Sequence, residues 1–126
     1  EVPDGMGYAG VMLDCIEGLQ SEEGRDLVLS VENNGSIPGL QDKDVIEATC
    51  HVSKKGIVPV KVEDVPEHCW LLIRTIKMYE KLTVEAIRTK SKDTAIMALM
   101  HHPLVNSYSL AKALVNKYDE VYGGIF

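Results

Sequence analysis

Apolar residues recur at helical spacing near the start of the chain. They stand at i, i+3, i+4, i+7, i+8 and i+11, namely Tyr8, Val11, Met12, Cys15, Ile16 and Leu19. This spacing predicts a helix with one apolar face. Polar residues at 20–24 end the helix before the next apolar segment begins.

Two strand patterns follow the first helix. Residues 27–32 are rich in Leu and Val and predict a buried strand, which Asn33-Asn34-Gly35 ends because Asn and Gly tolerate positive φ. Alternating apolar residues then predict a hairpin with one buried face, formed by Ile46, Ala48, Cys50 and Val52 and by Val58, Val60 and Val62. Pro59 cannot donate a ladder hydrogen bond, so the second hairpin strand is expected at a sheet edge.

The rest of the chain reads as three helices. The first has a period near 3.6 residues through Cys69, Leu72, Ile73, Ile76 and Tyr79, and Pro66 suits its first turn. Ser91 and Ser107 are expected to cap the next two helices. The last carries an apolar stripe at Leu110, Ala111, Leu114, Val115, Tyr118, Val121 and Tyr122. Strands segregated from helices predict an α+β fold, and residues 1–126 fit one domain.

Charge and composition exclude several classes of protein. The 126 residues carry 13 Lys and Arg against 19 Asp and Glu, and the net charge of −6 argues against non-specific nucleic-acid binding. No apolar run approaches the roughly 20 residues that span a bilayer, so no membrane partner is expected. The three cysteines form no CxxC pair and predict free thiols in a reducing cytoplasm. The chain does not begin with Met, and we expect a piece of a longer protein.

A glycine pattern near the start suggests nucleotide binding. Gly5-Met6-Gly7-Tyr8-Ala9-Gly10 matches G-x-G-x-x-G, and Glu32 follows near the spacing of a ribose-binding carboxylate. The motif requires a strand before its glycines, and residues 1–4 are too short and too polar to form one. A loop entering an amphipathic helix is therefore favoured, and an independent nucleotide-binding module remains as an alternative.

Pairs of Cys and His suggest zinc, but neighbouring side chains on a strand or helix point apart. The pairs are Cys50-His51, His68-Cys69 and His101-His102, and each is better explained by packing and solvation. A general base at His101-His102 lacks a nucleophile or carboxylate nearby in sequence. The single tryptophan, Trp70, is expected to pack in the core.

Asn33 and Asn34 are a different kind of candidate, because they lie at the end of a predicted strand. Their amides can hydrogen-bond hydroxyl or peptide groups. Loops at strand ends often carry binding residues. The alternative is a turn in which the Asn side chains satisfy the local backbone.

Four segments in order resemble the C-terminal region of the family 4 glycoside hydrolases. The segments are residues 31–40 (VENNGSIPGL), 45–50 (VIEATC), 82–86 (LTVEA) and 98–105 (ALMHHPLV). The resemblance runs from about Tyr8 to Tyr118. One departure is Ala48-Thr49, where the family often has Val-Pro.

The resemblance implies the C-terminal, substrate-domain portion of a lactate/malate dehydrogenase-like enzyme, with its dinucleotide-binding domain lying upstream and absent here. Such enzymes hydrolyse O-glycosyl bonds of 6-phospho-glycosides or α-glycosides. NAD oxidises the sugar at C3, a tyrosine base removes the C2 proton, and Mn²⁺ stabilises the enediolate. The glycine fingerprint, the metal-binding Cys and His, the tyrosine and the arginine all lie upstream in the family.

The resemblance therefore assigns no catalytic, cofactor-binding or metal-binding residue to this chain. Only Asn33 and Asn34 are candidates for the sugar pocket. The isolated chain is expected to bind neither NAD nor Mn²⁺ and to be inactive. A cytoplasmic homo-oligomer with a carbohydrate substrate is expected, and an oligomerisation module built on the helices from 69 to 122 is the structural alternative.

Overall fold

The computed structural model describes residues 7–126, and the chain divides after Asp64 into two compact units. The first unit contains helix α1 (Gly7–Gln20) and strands β1 (Arg25–Glu32), β2 (Val45–Ser53) and β3 (Gly56–Pro59). The second contains helices α2 (Glu67–Thr89), α3 (Lys92–His101) and α4 (Tyr108–Tyr122). This arrangement confirms the α+β fold.

The three strands form one antiparallel sheet in the order β1-β2-β3. Arg25 pairs with Val52 and Glu32 pairs with Val45, so β1 lies against nearly the full length of β2. The predicted alternation on β2 is confirmed, since its buried apolar residues are Ile46, Ala48, Cys50 and Val52. Pro59 ends β3, which is an edge strand as predicted.

The second hairpin strand is shorter than the alternation predicts. It ends at Pro59, so Val60 and Val62 lie beyond it. Val58 is exposed because the hairpin register pairs it with His51, which belongs to the exposed face of β2. The expectation that Val58 shares the buried face with Cys50 and Val52 was therefore wrong.

Helix α1 turns its polar side toward the sheet. Arg25 of β1 forms ion pairs with Asp14 and with Glu17, the latter at 2.8 Å. Gly18 is the one buried residue of the helix among those described, and a Cβ there would lie 3.0 Å from Val52. The apolar face predicted from the sequence exists, but its side chains are largely exposed rather than buried in the first unit.

The helical unit is built on two serine caps that the sequence predicts. The Ser91 hydroxyl accepts a hydrogen bond from the Thr94 amide at 3.2 Å, and the Ser107 hydroxyl accepts one from Leu110 at 3.4 Å. Pro66 is the N-cap of α2 and lies just before its first turn. The core of this unit consists of Ala86, Ala95, Ile96, Val105, Ala111 and Val115.

The apolar stripe of α4 is only partly buried. Ala111 and Val115 enter the core, whereas Leu110, Tyr118, Val121 and Tyr122 are exposed. Among the described residues, no helix combines the length and the apolar composition that crossing a membrane requires.

Candidate functional site

The β1–β2 loop, residues 33–44, contains three of the buried polar residues of the chain. Asn33, Ser36 and Asp44 are 0%, 2% and 6% exposed. Buried polar groups carry a large free-energy penalty unless they are hydrogen-bonded. The partners of these side chains therefore show how the loop is held.

The Asn33 carboxamide binds the backbone of its own loop. Its Oδ1 accepts a hydrogen bond from the Ile37 amide at 2.7 Å. Its Nδ2 donates to the carbonyls of Ile37 at 3.2 Å and Leu40 at 3.4 Å. This is the turn alternative raised from the sequence, in which the side chain satisfies local backbone groups. Asn33 thus shapes the loop from within.

Ser36 and Asp44 complete the loop framework. The Ser36 hydroxyl donates to the Val60 carbonyl at 2.6 Å, and the Ser36 carbonyl accepts from the Val62 amide at 2.9 Å. The Asp44 carboxylate accepts from the Gln41 amide at 3.0 Å, while its carbonyl accepts from the Asn33 amide at 2.8 Å. Hydrogen bonds therefore connect the loop to itself and to the chain that follows β3.

Asn34 has the opposite environment. It is exposed and adopts φ of 43°, a left-handed conformation that Asn tolerates better than most residues. Its backbone amide donates to the Asp42 carbonyl at 3.1 Å. Within residues 7–126 its carboxamide has no hydrogen-bond partner. The side chain can therefore offer a donor and an acceptor to a ligand hydroxyl.

Ser36 and Asp44 were not predicted from the sequence as members of this loop framework. A signal was present, because an Asp that ends a short polar turn before a strand commonly caps that turn with its carboxylate. The partners of the Ser36 hydroxyl and carbonyl lie more than twenty residues away, beyond β3, and no local pattern indicates them.

Cys50 and His51 point to opposite faces of the sheet, as expected from strand geometry. Cys50 is buried, and burial raises the pKa of its thiol, whereas His51 is exposed and lies 2.9 Å from the Asp26 carboxylate. Throughout residues 7–126, no group of three or more His, Cys, Asp or Glu side chains is arranged to hold a metal ion. The described donor set therefore does not fit a manganese site.

The histidines after α3 have structural contacts. His101 is exposed, and the His102 ring packs edge-on against Tyr79 with ring centroids 4.8 Å apart. His102 Nδ1 accepts a hydrogen bond from the Leu104 amide at 3.2 Å. These contacts orient the loop after α3. Trp70 is only half-buried, and the Arg74 guanidinium lies 5.8 Å from the centre of its ring.

The glycine pattern lies partly outside the described residues, which exclude Gly5 and Met6. Helix α1 begins at Gly7, so Gly7 and Gly10 are both helical. Glu32, the proposed ribose-binding carboxylate, forms an ion pair with Lys43 at 3.2 Å. The described part of the pattern is thus the start of a helix, and the carboxylate of Glu32 is paired with a lysine of the β1–β2 loop.

A cleft of about 410 Å³ lies in the helical unit. Its lining is almost entirely apolar and includes Tyr79, Ile87, Leu99, Tyr118 and Phe126. A sugar phosphate needs several polar groups and a compensating positive charge, and this lining has neither. The β1–β2 loop therefore remains the better candidate for a carbohydrate contact.

Comparison with known proteins gives a consistent match. Residues 4–105 match the model of the family 4 glycosyl hydrolase C-terminal domain. The chain is 36% identical to the 6-phospho-β-glucosidase BglT of Thermotoga maritima over 92% of this chain and 28% of that protein. It is 29% identical to an α-galactosidase of Bacillus subtilis over 85% of this chain and 25% of that protein.

Solved structures show the same fold. The 6-phospho-β-glucosidase from Thermotoga maritima, solved with manganese, NAD⁺ and glucose-6-phosphate, superposes with a TM-score of 0.80 at 33% identity. The match covers 95% of this chain and 30% of that one. The chain thus spans less than a third of the length of these relatives.

Proposed function

Because this chain belongs to the family 4 glycosyl hydrolases as a C-terminal domain, we propose that it is the C-terminal part of an NAD- and Mn²⁺-dependent glycosidase. Its substrate is an O-glycoside, either a 6-phospho-glycoside or an α-glycoside. The observation that supports this proposal is the family match across most of the chain, together with relatives named as 6-phospho-glucosidases and an α-galactosidase. The substrate alternatives follow from those two kinds of relative.

The contribution of this chain is structural support and one edge of the sugar pocket. In the proposal, Asn34 presents its exposed carboxamide to a sugar hydroxyl. Asn33 acts as a positioning residue, since its buried carboxamide holds Ile37 and Leu40 and so sets the loop on which Asn34 stands. Because buried hydrogen bonds already hold the loop backbone, ligand binding costs the conformational entropy of the Asn34 side chain but little of the backbone.

The cofactor and the metal are assigned to the part of the polypeptide outside this chain. The described residues contain no donor cluster for Mn²⁺, and the described glycines of the G-x-G-x-x-G pattern, Gly7 and Gly10, belong to helix α1. When bound, NAD and Mn²⁺ supply redox and Lewis-acid chemistry to the sugar ring in the proposed redox elimination. Without those groups in place, the isolated chain is inactive, because positioning and electrostatics supply most of a catalysed rate.

Two further parts of the proposal concern the whole protein. Cys15, Cys50 and Cys69 are free thiols, which suits the reducing cytoplasm.

Exposed apolar residues on α4, including Tyr118 and Val121, favour a homo-oligomer. Sedimentation of the full-length polypeptide tests the second point, and a clean monomer at high concentration contradicts it.

An activity assay tests the central proposal. The chain alone and the full-length polypeptide are compared on nitrophenyl 6-phospho-glucosides and nitrophenyl α-galactoside, each with NAD and Mn²⁺. We expect turnover of at least one substrate by the full-length polypeptide and none by the chain. Turnover by the chain alone, or no turnover by the full-length polypeptide on any of these substrates, contradicts the proposal.

A further inference from the structure

Helix α1 directs its polar side toward the sheet of its own unit and leaves its apolar side exposed. The side that meets the sheet carries Asp14 and Glu17, both bound to Arg25, and the small residue Gly18. The apolar side chains are exposed, with Tyr8 at 93%, Met12 at 65% and Ile16 at 49%. A helix on the surface of a globular protein normally has the opposite arrangement.

The exposed residues form one continuous face. Tyr8, Met12 and Ile16 are four residues apart and lie one above another on the helix. Val11, Leu13 and Leu19 extend the face, and each is more than 40% exposed. A contiguous exposed apolar face on a folded protein marks a surface that another protein segment covers.

The composition of this face favours a permanent interface. The outward side chains are aliphatic and aromatic, and the charged residues Asp14 and Glu17 are directed to Arg25 on the sheet side. Interfaces that never separate resemble a protein core cut in half, whereas transient ones have more polar surfaces. The surface therefore suits a partner that is always present, such as another part of the same polypeptide.

Such a partner is available within the proposed function. The chain spans 28% of the length of its Thermotoga maritima relative, so most of a family 4 polypeptide lies outside it. We propose that the α1 face, defined as Tyr8, Val11, Met12, Leu13, Ile16 and Leu19, is the surface on which the remainder of the same family 4 polypeptide packs. This inference rests on the proposed function only for the identity of the partner.

A pair of double variants tests the α1 face. Met12→Gln with Ile16→Gln removes apolar character while keeping good helix formers of similar size, and Met12→Leu with Ile16→Leu is the matched apolar control. Thermal unfolding is measured for each variant in the chain alone and in the full-length polypeptide. The Gln variant should lower the midpoint of the full-length polypeptide by roughly 5 °C and leave that of the chain unchanged. The Leu variant should leave both midpoints unchanged.

Three results would overturn the inference. An unchanged midpoint of the full-length Gln variant means that nothing covers the face. An equal loss in the chain alone means that the face is buried within the chain itself. Loss of a dimer on sedimentation, with a midpoint that depends on protein concentration, means that a second copy covers it. None of these measurements uses activity, so an inactive full-length polypeptide refutes the proposed function without deciding this interface.

Discussion

Asn33 contacts Ile37 through both ends of its carboxamide, accepting from the Ile37 amide at 2.7 Å and donating to the Ile37 carbonyl at 3.2 Å. One fully buried side chain thereby satisfies both polar groups of a residue four positions away. The contact makes the loop a defined structure, since each unpaired buried polar group would cost about 1–3 kcal/mol. Asn33 thus stabilises the observed conformation of the β1–β2 loop.

Asn33→Asp should destabilise the chain by about 2 kcal/mol at neutral pH, because the carboxylate keeps the acceptor but faces the Ile37 and Leu40 carbonyls without a proton. The acid form can donate, so burial against carbonyls raises the pKa of the introduced group. The penalty should therefore shrink as pH falls through that raised value. Urea unfolding at several pH values measures it, and a penalty that does not change with pH contradicts the role of the Nδ2 donor.

Asn34 lies beside Asn33 in the same loop but is exposed, so its substitution provides a comparison with that of Asn33. Asn34→Gly should leave stability nearly unchanged because glycine accepts a φ of 43°, whereas Asn34→Ala should cost about 1 kcal/mol in backbone strain. In the full-length polypeptide, both variants should raise KM more than they lower kcat, since the proposed contact is with a ground-state hydroxyl. Unchanged KM in both variants removes Asn34 from the sugar pocket.

Alanine substitutions at Gly24 and Gly35 distinguish a steric clash of the new Cβ from backbone strain at positive φ. Both have positive φ, at 69° and 77°, but a Cβ at Gly24 would lie 2.5 Å from the Val52 carbonyl oxygen, while one at Gly35 meets nothing within 4 Å. Gly35→Ala should therefore cost about 1 kcal/mol and Gly24→Ala clearly more. Denaturant unfolding of the two variants checks the order, and equal losses would show that the close approach of Gly24 to β2 has no energetic consequence.

We expect Asp119 to make the stability of the helical unit sensitive to acid. The hydrogen bond from Lys92, at 2.5 Å, and a second from the Phe126 amide lower the pKa of the Asp119 carboxyl. A lowered folded-state pKa stabilises the protein above the ordinary carboxyl value, and this stabilisation is lost as pH falls through the folded value. Asp119→Asn should therefore lower the unfolding midpoint at pH 7 and matter less in acid. A difference that grows in acid would contradict this assignment.

The thiols should differ in reactivity. Cys50 is fully buried and the pKa of its thiol is raised, so little thiolate is available, whereas Cys15 and Cys69 are half-buried. Alkylation with iodoacetamide at pH 8, followed by mass spectrometry of peptides, should label Cys50 last in the folded chain. All three should react alike in urea. Early labelling of Cys50 would show that the sheet opens readily.

Stability of the chain should be independent of cofactor. A ligand stabilises a protein only if it binds the folded state, and the described residues provide no metal cluster. EDTA, Mn²⁺ and NAD should each leave the thermal midpoint of the chain unchanged, while EDTA should abolish activity of the full-length polypeptide. If NAD raised the thermal unfolding midpoint of the chain, the alternative of a nucleotide-binding module at the glycine pattern would be favoured instead.

The sequence by itself determined which elements form and their order, although not where the second hairpin strand ends. The caps at Ser91 and Ser107, the alternation along β2 and the edge position of Pro59 were all predicted, because each depends on groups within a few residues or on a fixed backbone period. Four separate segments of the sequence are each similar to the family, and this supported the resemblance. The match to the family model confirmed it.

Only the tertiary structure decided which side of α1 and of β3 is exposed, and where buried polar groups find partners. Periodicity indicates that α1 has an apolar face, but its outward direction follows from Arg25, which lies on a strand and holds the polar side. The exposure of Val58 follows from its pairing with His51, and the bond from Ser36 to Val60 spans β2 and β3. These contacts join residues distant in sequence, so no local pattern contains the information that specifies them.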